Sequence, residues 1–173
     1  MGVKESLQAQ LTGKKAYRLH AAALQDRSEG KYEKSENKIT EALALYEKAY
    51  QGGNRAADIL RGYALLLMRR GFFEEARAVM LENGRNKELP IDDRFKLRVN
   101  YSICQWKLGD IDMAIEIIER AELINKNGEI YNTKGLYLVE KATQTGDFAV
   151  AETFIQEAME YDDEDAGTLD NYG

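Results

Sequence analysis

The stretch Gly109-Asp110-Ile111-Asp112-Met113-Ala114-Ile115-Glu116-Ile117-Ile118-Glu119-Arg120-Ala121 decides how this chain is read. A tight turn at Gly109 leads into an amphipathic helix. Ala114 and Ala121 fall seven residues apart, two helical turns, on one face, with Ile117 and Ile118 between them on that face. The figure has relatives. Gly146-Asp147-Phe148 leads to Ala151, Ile155 and Ala158, and Gly71-Phe72-Phe73 leads to Ala76 and Met80. Gly30-Lys31-Tyr32 leads, after a longer gap, to Ala42, Tyr46 and Ala49. A glycine, aromatic and alanine figure that recurs every few tens of residues marks a repeat array.

Working outward, the same periodicity predicts eight helices and no strand. Residues 1–13 are polar and end at Gly13, so they are expected to fray as an N-terminal segment. Helices are expected over about 14–29, with an alanine cluster at Ala21, Ala22 and Ala23, and over 33–51, with the stripe Ile39, Ala42, Leu43, Leu45, Tyr46, Ala49 and Tyr50. Gly52-Gly53 stops the second, and Asn54 is expected to cap a third over 55–70. Gly71 turns into a fourth that ends at Asn83-Gly84. A longer connection holds Pro90, with Asp92 or Asp93 as the next cap. Helices over 95–108, 111–125, 130–145 and 149–161 follow, and the acidic run Asp162 to Asp165 reads as a solvated loop.

The pattern resembles the tetratricopeptide repeat (TPR) family, whose motif is W-x2-L-G-x2-Y, then A-x3-F, over 34 residues. Leu60, Tyr63, Ala64 and Leu67, then Ala76 and Met80, are the best copy. Leu19, Ala22 and Ala23 with Ala42 and Tyr46 make an earlier one. Tyr101 and Ser102 with Ala114 and Ile118, and Tyr131, Gly135 and Leu138 with Ala151 and Ile155, make two more. No copy has the family tryptophan, and the anchors Ala42, Ala76, Ala114 and Ala151 stand 34, 38 and 37 residues apart. The resemblance implies an all-α fold, a right-handed superhelix of about four repeats over 14–51, 55–83, 93–125 and 129–161 within a domain spanning 14–173. Leu169, Tyr172 and Gly173 repeat the opening of a partial fifth repeat over 166–173. The expectation there is a piece of a longer array or one end of an assembly. The apolar face around Phe154, Ile155 and Ala158 is then expected to lack full cover.

Charge and composition narrow the function. The 173 residues carry a net charge of -6, so nucleic acid is not the expected partner. The single Cys104 cannot form an internal disulfide, which fits a reducing, cytoplasmic setting. No apolar run reaches the roughly 18 residues of a membrane span. Met1, Gly2 and Ser6 match the short N-myristoylation pattern, which recurs readily by chance. His20 stands alone with no metal-ligand cluster, no nucleophile or phosphate-loop motif is present, and the paired acids fall on exposed faces. The reading is therefore non-enzymatic, with no cofactor and no metal.

The resemblance implies a concave groove lined by the first helix of each repeat. That register places His20, Leu24 and Arg27 there. Arg61, Leu65, Met68 and Arg69 follow, then Lys96, Asn100, Ile103, Trp106 and Lys107, and finally Asn132, Leu136 and Val139. Arg27, Arg61, Arg69, Lys96 and Lys107 against Asp58 make a basic stripe suited to an acidic peptide of a protein partner. Trp106 reads equally as a groove anchor and as core between helices. The rival readings are self-assembly through repeat ends and an RNA-binding helical repeat.

Overall fold

The computed structural model of the chain describes residues 3–86 and 89–161, and these form eight helices without a strand. They fall into two compact units, Met1–Glu88 and Leu89–Gly173.

The first unit holds α1 (Val3–Ser28), α2 (Tyr32–Gln51), α3 (Ala57–Arg69) and α4 (Phe73–Gly84). Successive helices pack on one another, and α1 also touches α3. Close approach of α1 and α2 follows from side-chain size. The buried face of α1 includes Ala9, Thr12, Gly13, Ala16 and Ala23, small residues on one helical stripe. Ser35 fastens the pair by donating from Oγ to the carbonyl of Ala23 at 2.8 Å, with no solvent contact. On α2 the expected Ala42, Tyr46 and Ala49 are buried, as are Ala76 and Met80 on α4.

The N-terminal segment differs from expectation. Residues 3–13 are the first turns of α1, and Gly13 lies inside that helix instead of ending it. A Cβ at Gly13 would stand 2.6 Å from Nδ2 of Asn54, so the glycine admits the α2–α3 connection. Asn54 donates from Nδ2 to the carbonyl of Ala9 at 3.2 Å and accepts at Oδ1 from the Ala56 amide at 3.0 Å. It does not cap α3, whose first flanking residue is Ala56.

The second unit holds α5 (Ile91–Lys107), α6 (Ile111–Glu122), α7 (Gly128–Thr145) and α8 (Ala149–Tyr161). Pro90 flanks the start of α5, so Asp92 and Asp93 lie in its first turn, where they complement the helix dipole, and neither is the cap. Gly109 turns the chain with φ 87°, a left-handed conformation that costs glycine least. Asp110 then caps α6 by accepting from the Met113 amide at 3.1 Å, and Asn127 caps α7 from the Ile130 amide at 3.2 Å. Ala114, Ile117, Ile118 and Ala121 are buried as the opening stretch requires. The face of Phe154, Ile155 and Ala158, expected to lack cover, is itself buried, with Phe154 and Ala158 packed on Tyr131, Leu138 and Ala142 of α7. The fifth-repeat opening at 166–173, the acidic run at 162–165 and the Met1-Gly2 pattern lie outside the described residues.

Candidate functional site

In the first unit, the adjacent helices α1 and α3 share a face. Helical spacing puts Tyr17, His20, Leu24 and Arg27 in one row on α1, and Asp58, Arg61, Leu65 and Arg69 in another on α3. Leu24 and Leu65 are 51% and 38% exposed, although both are large and apolar. Met68 is half-buried beside them. Gly62 on the same helix is buried against the core, and a Cβ there would stand 2.7 Å from Cζ of Tyr46. The Tyr46 ring is fully buried, and its hydroxyl lies 3.5 Å from Nδ1 of His20. Burial pushes that phenol above its ordinary range. His20 is held below its usual value, first by burial and then by the charge of Arg69, which favours the neutral imidazole.

The basic residues of this face are not all directed at solvent. Arg27 stands 3.6 Å from Oε1 of Glu36, and Arg69 pairs with the same oxygen. Arg70 stands 3.3 Å from Oε2 and donates to Thr40 Oγ1 at 2.9 Å. Glu36, Thr40 and Arg70 are absent from the sequence-derived set. Glu36 and Thr40 belong to a second helix of the pair, and the motif register draws the face from first helices only. The single available signal is the nearness of Glu36 to the Gly30 turn, which carries α2 back past the end of α1.

In the second unit, α5 and α7 are in contact. Lys96 and Lys107 are exposed, while Asn100, Ile103, Trp106 and Asn132 are half-buried. Trp106 packs on the core against Tyr137, ring centroids 5.7 Å apart, and donates from Nε1 to Glu140. Lys107 covers its ring with Nζ 3.6 Å from the centroid. Trp106 thus fills the space between α5 and α7 and keeps one edge near the surface. Tyr137 beneath it shares a 3.1 Å hydrogen bond with Ser102, and burial pushes its phenol to about 12. Leu136 on α7 is 39% exposed, and Val139 is half-buried.

A second feature of this unit escaped the sequence. Lys134 of α7, the residue before the motif glycine Gly135, reaches Glu119 at 3.3 Å and Glu122 at 2.8 Å on α6. Lys126 joins Glu122 at 3.0 Å to Glu157 of α8 at 2.5 Å. Beside them opens a cleft of about 420 Å³ lined by Leu138, Val150 and Phe154 among others. Among the described residues no group of His, Cys, Asp and Glu could hold a metal ion, and no helix is long and apolar enough to cross a membrane. Cys104 is buried.

No family model matches the sequence, and no curated protein matches it. Solved structures do. A chain of the APC/C hetero-tetramer Cut9–Hcn1 matches over 88% of this chain with TM-score 0.64 and 12% identity. The present chain spans only 34% of that one. A tetratricopeptide repeat protein from Parabacteroides merdae matches 91% of this chain and 58% of its own, with TM-score 0.58 and 14% identity. YrrB, a TPR protein with an unusual peptide-binding site, matches 87% of this chain and 88% of its own, with TM-score 0.53 and 16% identity. At such identities the likeness is one of fold. The chain has the all-α tetratricopeptide repeat fold.

Proposed function

We propose that the protein is a non-catalytic scaffold that binds a peptide segment of a protein partner, acidic in character, across the first helices of its repeat pairs. The observation that carries this reading is the α1–α3 face of the first unit. Leu24 and Leu65 are exposed on α1 and α3, and Arg27, Arg61 and Arg69 lie about one turn from them on the same helices. Apolar anchors with a basic border suit an extended or helical segment carrying carboxylates. The peptide-binding site of YrrB, on the same fold, supports the reading. In the second unit Lys96, Asn100, Ile103, Trp106, Lys107 and Asn132 supply a comparable row, with Trp106 as its apolar body.

The test begins with selection of binding peptides from a displayed random library against the folded protein. Reversing Arg61 and Arg69 to Glu is expected to weaken the selected peptides and to flatten their salt dependence. Replacing Leu24 and Leu65 with Asp is expected to abolish binding. Unchanged affinity in both variants would put the binding surface elsewhere.

A further inference from the structure

We propose that Arg27, Arg69 and Arg70 form a receptor for one carboxylate of a bound acidic peptide, and that Glu36 fills this receptor from within the chain when no ligand is present. The inference rests on the peptide-binding reading and gives it a specific anchor and an internal competitor.

Three guanidinium groups, one from the end of α1 and two from the end of α3, converge on a single carboxylate. Arg27 and Arg69 share Oε1 of Glu36, and Arg70 takes Oε2. Local charge is therefore in excess by two cations. Hydrogen-bonding capacity is also in excess, because each guanidinium offers five N–H donors and a carboxylate has roughly four acceptor positions. Two other acids near this end of the unit, Asp26 and Glu29, are committed elsewhere. Asp26 is held by Lys34 at 3.3 Å and Lys38 at 2.5 Å. Glu29 accepts from Gln25 at 2.6 Å and from Lys31 at 2.5 Å. Neither neutralises the arginines.

The cluster is open to a ligand. The side chains of Arg27, Arg69 and Arg70 are 52%, 28% and 33% exposed, and that of Glu36 is 40% exposed. Thr40 fixes Arg70, so the receptor does not depend on Glu36 alone for its order. Leu24 precedes Arg27, and Leu65 precedes Arg69, by about one helical turn, which sets an apolar shelf beside the charged end. The chemistry this recognises is a peptide with an apolar side chain on the shelf and a carboxylate on the arginines. A carboxylate is the committed ligand because one already occupies the site with both oxygens engaged. Exchange of one carboxylate for another keeps the guanidiniums paired throughout.

The probe is a fluorescein-labelled hexapeptide of two leucines followed by four glutamates, with a version carrying four glutamines as control, read by fluorescence anisotropy. Glu36→Gln removes the internal competitor, and affinity for the glutamate probe is expected to rise by about 5- to 10-fold. Glu41→Gln changes net charge equally on the same helix, at a residue paired with Lys15 at 3.3 Å, and is expected to shift affinity by less than about 2-fold. Adding Arg70→Gln to Glu36→Gln is expected to return affinity to the wild-type level or below. Side-chain Nε–Hε resonances of Arg27, Arg69 and Arg70 are expected to move on titration with the glutamate probe and not with the glutamine control. Equal tightening by the Glu36 and Glu41 variants, or no tightening by either, overturns the proposal. Library-selected peptides that ignore Leu24, Leu65 and the arginines would sink the broader groove reading, yet the probe results would still decide the receptor on its own terms.

Discussion

Tyr46 lies directly beneath Gly62, and a Cβ on the glycine would stand 2.7 Å from Cζ of the ring. The ring has no exposed surface and cannot tilt away without disturbing Tyr63, stacked 6.4 Å from it. A mid-helix glycine is otherwise unfavourable by up to about 1 kcal/mol. Its place in α3 is therefore explained by packing. Gly62→Val is expected to lower stability by about 1–3 kcal/mol through overpacking. In a Tyr46→Leu background the cost of Gly62→Val should shrink, measured as a double-mutant cycle in urea. Additive losses would show that the two residues do not share this contact.

The alanine figure was readable because small residues at helical spacing have one common use, close approach of a neighbouring helix, and all four anchors Ala42, Ala76, Ala114 and Ala151 are buried. Glycine is less legible, since it serves both turns and close approaches. Gly109 does the first and Gly13 the second, and only the partner Asn54, 41 residues away in sequence, tells them apart. The arginine cluster was half legible. Arg27 and Arg69 follow from the helix register, but their common partner Glu36 is a tertiary neighbour on another helix, and no local pattern marks it. Lys134 was hidden for a related reason. Its charge is tolerated where an apolar residue would be expected because Glu119 and Glu122 meet it from α6.

Ala114 gives a direct check on the helix register. It has no exposed surface and belongs to the cluster that contains Ile118, Ala121 and Tyr137. Ala114→Leu adds three heavy atoms to a filled space and is expected to cost about 1–3 kcal/mol. The same change at Ile115, half-buried on the neighbouring face, should cost less than about 1.5 kcal/mol because its volume is conserved. A thermal melt in which the two variants are equally stable would contradict the packing described for α6.

His20 makes stability depend on pH. It is the only histidine of the chain, so no other imidazole contributes. Burial, then the charge of Arg69, holds its folded pKa below the ordinary 6.5. The unfolded chain therefore binds this proton more readily, and stability falls as pH drops below about 6.5, levelling off under the folded value. Between about pH 7 and pH 5 the urea midpoint of the wild type should decline. His20→Gln, which cannot titrate, should lose most of that slope. A slope that persists in the variant would assign it to other groups.

Lys134 offers a second acid-side test, at lower pH than that of His20. Burial works to raise the pKa of Glu122, but hydrogen bonds from Lys134 and Lys126 outweigh it and hold the carboxyl below its ordinary 4.5. Its contribution to stability is present above pH 4.5 and is lost as pH falls through the lower folded value. Lys134 is itself only 12% exposed, so removing it leaves a sheltered carboxylate with Lys126 as its remaining cation. Lys134→Met keeps an apolar stem of similar length and removes the ammonium, which bonds Glu122 and lies 5.0 Å from the Phe154 ring centroid. At neutral pH the variant is expected to lose about 1–3 kcal/mol. Glu122 should then titrate at higher pH, so the acid-induced loss of stability begins earlier on the descending pH scale. Adding Glu122→Gln should recover part of the loss, since the uncompensated charge is gone. Chemical denaturation across pH, with the double variant no more stable than Lys134→Met, would refute the coupling and leave α6 and α7 joined by apolar packing alone.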